Sequence, residues 1–130
     1  MKVVFYSNIL ISGLLFPGRQ AERAVLRVIE GRDRLLISKE IIKEVLDVLA
    51  RKFAREREEL ARTAVLLAEL GEIVQAERQL SVLRDQADNR ILECAVAGHA
   101  ALIVTGDREM LRLRTFQGIA IVSLRDFLES

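Results

Sequence analysis

Short apolar runs alternate along this chain with longer stretches in which apolar residues recur every three or four positions. Runs of the first kind are Val3 to Tyr6, Arg34 to Ile37, Glu72 to Val74, Ala101 to Val104 and Ile119 to Val122. Each has the length and the branched residues of a strand, the third being the shortest. The stretches between them have helical periodicity, which predicts an α/β fold with a mostly parallel sheet of four to five strands and helices on both faces. One helix begins after Ser38, whose hydroxyl suits an N-cap, and carries Ile41, Ile42, Val45, Leu46, Val48 and Leu49 on one face. Another runs from about Arg55 to Leu70 and opens on the charged run Arg55-Glu56-Arg57-Glu58-Glu59, which reads as a solvated turn. Gly31, Gly71 and Gly98 each follow a helical stretch and precede a strand, where a left-handed glycine is expected.

With 130 residues, the chain buries roughly two-thirds of its unfolded surface in a single core, which predicts one domain over residues 1–130. The longest apolar stretches, such as Ala100 to Val104, fall far short of the roughly 20 residues that cross a bilayer, so no membrane partner is expected. Asn8 interrupts the apolar N-terminus, and Phe16-Pro17-Gly18-Arg19 is not a small-residue cleavage site. The first segment therefore reads as a buried strand of a cytoplasmic protein. Cys94 is the only cysteine and His99 the only histidine, which excludes an internal disulfide and a Cys/His zinc site. Any metal must be held by oxygen. The 20 Lys plus Arg against 19 Asp plus Glu give a net charge of +1, which neither requires nor excludes a nucleic-acid partner.

Ligands of parallel α/β sheets sit outside the carboxyl ends of the strands. The residues there are Tyr6, Ser7 and Asn8 after the first strand, Thr105, Gly106 and Asp107 after the fourth, and the segment Leu83 to Asn89 leading into a helix. Neither the spaced glycines of a dinucleotide fold nor a phosphate loop ending in Lys-Ser/Thr follows any strand. A phosphorylation receiver would need an acidic pair where Tyr6-Ser7-Asn8 stands and a lysine where Ser123-Leu124-Arg125 stands. Cys94 shares its helix with Ile91, Leu92, Ala95 and Val96 and reads as core, not as a nucleophile. What remains is a set of carboxylates, Asp107, Asp85, Asp88 and Glu44. Grouped carboxylates repel unless a hard cation lies between them, and Mg²⁺ or Mn²⁺ with such ligands performs phosphodiester hydrolysis. Each acid alone also has a structural reading: Asp88 and Asp107 as helix N-caps, Asp85 as a loop acid, and Glu44 as a solvated flank about 40° off its apolar stripe. Taken by themselves, Tyr6 is a strand aromatic and His99 an exposed loop residue.

The segments Val3-Val4-Phe5-Tyr6-Ser7-Asn8, Ser38 to Val45, Arg84-Asp85-Gln86-Ala87-Asp88-Asn89-Arg90, Ile103-Val104-Thr105-Gly106-Asp107 and Ile119 to Ser123 together resemble the PIN-domain family, and more narrowly its VapC-like toxin branch. The match runs the length of the chain in order, and the Asp-Asn-Arg and Thr-Gly-Asp blocks carry it most. The resemblance implies a three-layer α/β sandwich that binds Mg²⁺ or Mn²⁺ and cleaves single-stranded RNA, often as a homodimer inhibited by an antitoxin protein. It makes Glu44, Asp88 and Asp107 the catalytic and metal-binding acids. Ser7, Asn8, Asp85, Asn89 and Thr105 support them. Arg90 and Arg108, near the expected site, are candidates to hold RNA backbone, although each reads first as a solvated helix residue. Where the family carries its first aspartate, this chain has Tyr6, a phenol with a pKa of about 10 and a poor Mg²⁺ ligand. That change is compatible with a relative that binds RNA or an antitoxin-like partner without cutting, with a single-base variant of an active enzyme, or with metal held by the remaining acids.

Overall fold

The computed structural model describes residues 1–130 and resolves the alternation into β1 (Lys2–Phe5), α1 (Ser7–Leu15), α2 (Gln20–Ile29), β2 (Arg34–Ile37), α3 (Lys39–Lys52), α4 (Arg57–Leu70), β3 (Gly71–Ile73), α5 (Gln86–Ala97), β4 (Leu102–Val104), α6 (Arg108–Leu113), β5 (Thr115–Phe116), β6 (Ile119–Val122) and α7 (Leu124–Glu129). The strands form one sheet in the order β3-β2-β1-β4-β6-β5, parallel except for β5 against β6. Chain direction reverses about β1: the connections run outward through β2 to β3, then return across the sheet to β4. Right-handed crossovers in opposite directions place their helices on opposite faces. A topological switch point therefore opens between the carboxyl ends of β1 and β4.

The continuous apolar runs follow from this covering. Val3, Val4, Leu35, Leu36, Ile37, Ile103 and Val104 are all buried, on alternate faces of the sheet. Helix α3 begins as its sequence predicts, with Ser38 Oγ accepting the Ile41 N–H at 3.2 Å. Its fully buried stripe is Ile41, Val45 and Leu49, while Ile42, Leu46 and Val48 are only partly covered. Phe5 meets Phe127 of α7 edge to face, and the Arg27 guanidinium lies over the Phe127 ring while pairing with buried Asp33.

The sheet has one strand more than expected. Thr115–Phe116 is too short to register as an apolar run, and it pairs antiparallel with β6 through a turn at Gln117 and Gly118. Both turn residues have positive φ, as a two-residue hairpin requires. Of the three glycines expected to be left-handed, only Gly31 is, with φ +79°; Gly71 and Gly98 have φ −110° and −90°. They are there for space, since a Cβ would come within 2.8 Å of Ile37 Cγ2 at Gly71 and 2.5 Å of Leu36 Cδ1 at Gly98.

Gly13 in α1 is less forgiving, because a Cβ there would lie 2.6 Å from Val25 Cγ2 and also 2.9 Å from the backbone carbonyl oxygen of Ala21 in α2. Backbone cannot swing aside as a side-chain tip can. Gly13→Ala is expected to destabilise the fold by about 1–3 kcal/mol in urea unfolding despite alanine's better helix propensity. Gly106→Ala, where nothing lies within 4 Å, serves as the near-neutral control.

Candidate functional site

Two backbone bonds extend the ladder one residue beyond the strands: the Tyr6 N–H donates to the Val104 carbonyl at 2.9 Å, and the Thr105 N–H donates to the Val122 carbonyl at 3.0 Å. They bring Tyr6 at the end of β1 beside Thr105-Gly106-Asp107 at the end of β4, at the switch point. Thr105 is fully buried, and its hydroxyl accepts the Asp107 N–H at 3.0 Å. Asp107 in turn caps α6, accepting the Met110 N–H at 2.9 Å. Its backbone N–H is thus held by Thr105 and its carboxylate by the first turn of α6.

The expectation that Asp88 caps the next helix is corrected. The cap of α5 is Asp85, which accepts the Ala87 N–H at 2.9 Å. Asp88 lies one turn in, 2% exposed, and its Oδ1 has no hydrogen-bond partner. Because α5 starts at Gln86, the cap falls to Asp85, and Asp88 in the first turn is buried instead of reaching back to the helix end.

Burial is the main reason why the Asp88 carboxyl is pushed up to about 6, and the negative charges of Asp107, Asp85 and Glu109 push it the same way. The facing Tyr6 hydroxyl acts in the opposite direction by favouring the carboxylate. Tyr6 is itself raised far above the usual phenol range, first by burial and then by Asp88, Asp107 and Asp85. It is a neutral phenol at every physiological pH.

Glu44 stands on α3 and lines an adjoining cleft of about 260 Å³ together with Ser7, Glu40, Asp47, Ala87 and Arg90. It is not among the charges that act on Asp88, and no three His, Cys, Asp or Glu side chains are gathered closely enough to enclose an ion. The acids therefore form a sparse site around Asp88 and Asp107 with Glu44 on its flank. Mg²⁺ accepts such an arrangement, since it retains several waters and takes one or two carboxylates plus substrate phosphate. The unpartnered buried oxygen of Asp88 and an all-oxygen donor set fit a hard divalent cation.

The supporting residues separate by role. Ser7 is buried at the start of α1, whereas Asn8 is exposed. Asn89 is wholly buried and grips the preceding segment: its Oδ1 accepts the N–H groups of Val82 and Leu83, and its Nδ2 donates to the Leu83 carbonyl. Arg90 is not a solvated helix residue, because it pairs with Glu93 at 2.6 Å and donates to the Leu80 carbonyl. Cys94 is buried and its thiol is pushed up to about 12, which makes it inert. Glu109, absent from the expected set, belongs to it electrostatically; its place in the first turn after Asp107 was the available signal.

The sequence matches the PIN domain family over residues 2–109. The chain belongs to that family. A relative, the uncharacterized protein MJ1680 of Methanocaldococcus jannaschii, is 25% identical over 118 residues, covering 88% of this chain and 76% of its own. Among solved structures, VapBC2 from Rickettsia felis bound to a DNA fragment from its promoter aligns with a TM-score of 0.66 at 13% identity, covering 95% of this chain and 98% of that one. VapBC-1 from nontypeable Haemophilus influenzae aligns at 0.63 and 17%, covering 96% and 99%. At these identities the likeness establishes the fold, a mostly parallel sheet flanked by helices.

The raised pKa of Asp88 has a signed consequence for stability. Between the unfolded carboxyl value of about 4 and the folded value of about 6 the native state binds the extra proton. Stability at this residue is therefore complete below about pH 4 and is lost as pH rises through 6. Asp88→Asn is expected to stabilise the protein by about 1–2 kcal/mol at pH 7.5 in chelator, an advantage that vanishes near pH 4. Urea unfolding of both forms across that range measures it, and a pH-independent difference would refute the burial of a charged Asp88.

Proposed function

We propose that this PIN-family chain is a metal-dependent endoribonuclease acting on single-stranded RNA, the toxin component of a toxin–antitoxin pair in the cytoplasm, with an antitoxin protein and a second copy of itself as partners. The observation that carries the reading is buried Asp88 with a free carboxylate oxygen, set beside Asp107 at the switch point of a parallel sheet. Asp88 and Asp107 would hold Mg²⁺ or Mn²⁺, with Glu44 completing the site from the neighbouring cleft. A cation held there neutralises charge on the scissile phosphate and lowers the pKa of water. Thr105 fixes the Asp107 turn, Asp85 caps the helix that carries Asp88, and Ser7 lines the shared cleft. The likeness to VapBC structures supports an antitoxin partner.

One observation favours a second reading, a module that binds RNA or an antitoxin without cutting. Tyr6 sets a neutral phenol against Asp88 where the family resemblance places an acid. A phenol this hard to ionise contributes no charge toward a cation, so the ribonuclease reading predicts weak activity in the chain as it stands.

Cleavage of a single-stranded RNA with Mn²⁺, with Mg²⁺ and with chelator separates the two. Tyr6→Asp is expected to raise metal-dependent cleavage on the order of a hundredfold over the unaltered chain. Asp107→Asn is expected to abolish it in either background. Asparagine caps a helix as well as aspartate does, so that loss would not reflect unfolding of α6. RNA binding with no cleavage in any form would establish the second reading instead.

A further inference from the structure

Glu93 is a carboxylate that the proposed catalysis does not use, 6% exposed in the second half of α5. Both of its contacts within the chain fall on one oxygen: Oε2 accepts the Leu80 N–H at 2.7 Å and lies 2.6 Å from the Arg90 guanidinium. Oε1 makes no hydrogen bond within the chain and is not sealed from solvent. A carboxylate can accept through both oxygens, so a buried one with an idle oxygen has capacity to spare.

Glu93 borders a cavity of about 340 Å³, within the range of small-ligand pockets. Leu80, Val96 and Ala97 form its apolar wall, and Glu77, Arg78, His99 and Gln117 add polar groups. Val96, His99 and Gln117 also line an adjoining recess of about 350 Å³ that reaches Gly118 and Ile119. The walls are thus α5, the segment before it and the β5–β6 hairpin. An apolar wall beside one idle acceptor suits a planar heterocycle that carries an amino group. Arg90 connects this cavity to the acidic site, because it lines the cleft that holds Glu44 and Ser7 and pairs with Glu93. From Asp88 to Glu93 the rise along α5 is about 8 Å, a span that single-stranded RNA covers in a few nucleotides. Arg78 makes no ion pair within the chain and is free to meet a backbone phosphate.

We propose that this cavity is a base pocket on the RNA path, taking a nucleobase whose exocyclic amino group donates to Glu93 Oε1 while its ring lies against Val96 and Ala97. The proposal rests on the ribonuclease reading for its occupant and adds base selection to it. Cytosine, adenine and guanine carry such an amino group, and single-stranded RNA exposes it. Uracil has a carbonyl oxygen where cytosine has its amino group, and that oxygen would face a carboxylate lone pair.

The test is titration of the full chain with cytidine and uridine 5′-monophosphate in chelator, followed by backbone amide shifts. The cytidine nucleotide is expected to bind at about 0.1–1 mM, with shifts at Ala97, His99 and Gly118, and the uridine nucleotide about tenfold more weakly. Glu93→Gln keeps a carbonyl oxygen for the Leu80 N–H and offers an amide NH₂ to the cavity, so it is expected to bring uridine level with cytidine or ahead of it. Val96→Phe fills the cavity without altering Glu93 and is expected to abolish nucleotide binding with an unchanged circular dichroism spectrum. Equal binding of the two nucleotides, binding that survives Val96→Phe, or a preference that Glu93→Gln leaves unchanged would each overturn the proposal. Cytidine-rich and uridine-rich single-stranded oligonucleotides separate it from the ribonuclease reading. RNA that binds without base preference and regardless of both variants overturns the pocket alone. Cytidine nucleotide that binds here while no oligonucleotide binds supports the pocket's chemistry and overturns the RNA reading.

Discussion

The pairing of β1 with β4 is the contact on which both the sheet and its site depend. Val3, Val4 and Phe5 align with Leu102, Ile103 and Val104, and the Tyr6 N–H extends the ladder to the Val104 carbonyl. β1 also pairs with β2 on its other edge, so its backbone groups are held from both sides. Because the connections leave β1 in one direction and arrive at β4 from the other, no helix closes the gap at their carboxyl ends. Residues six and 105–107 meet there for topological reasons. A one-residue slip in this register would move each β1 side chain to the opposite face of the sheet, against the wrong helices, and separate Tyr6 from the turn that holds Asp107.

The fold was legible wherever burial forces a pattern. Strands covered on both faces must be continuously apolar, and Val3 to Phe5, Leu35 to Ile37 and Ile103 to Val104 announce themselves for that reason. Ser38 announced its helix because a hydroxyl before an apolar period has one ready use. Contacts between distant segments left no such trace. Nothing local in Gly71 or Gly98 distinguishes a glycine needed for its φ from one needed because Ile37 or Leu36 lies against it. Residues β5 and its turn were missed because two residues cannot display a period. At the site, the acids could be named from their positions after strands, yet their division of labour could not. On paper Asp88 is the cap and Asp85 a loop acid, and only the observed helix start shows that Asp85 binds backbone while Asp88 is buried.

Asp88 is held in place by a polar grip on the far side of its own helix. Asn89 ties Val82 and Leu83 to α5, and four residues on Glu93 accepts the Leu80 N–H at 2.7 Å while pairing with Arg90. The segment before α5 has no regular structure of its own, so these side chains supply the partners its backbone would otherwise lack. The same bonds fix where the helix starts, and therefore where Asp85 and Asp88 stand relative to β4. A buried Asn and Glu within one helix thus do structural work that makes the acidic position possible. Their burial, 0% and 6% exposed, is far below what is usual for these residue types.

The phenol at position six changes the electrostatic problem that this edge of the sheet must solve. Asp88 already feels Asp107, Asp85 and Glu109, and burial alone raises its carboxyl. A further carboxylate in place of Tyr6 would add repulsion to a group with an unpartnered oxygen, and a bound cation is the means by which such a cluster becomes stable. Tyr6 brings no charge, and its hydroxyl favours the ionised form of Asp88. The site is thereby eased without any ion, at the expense of the charge that would draw one in. Stability without metal and affinity for metal pull against each other at a single residue, as at other sites where function requires an arrangement that folding alone would disfavour.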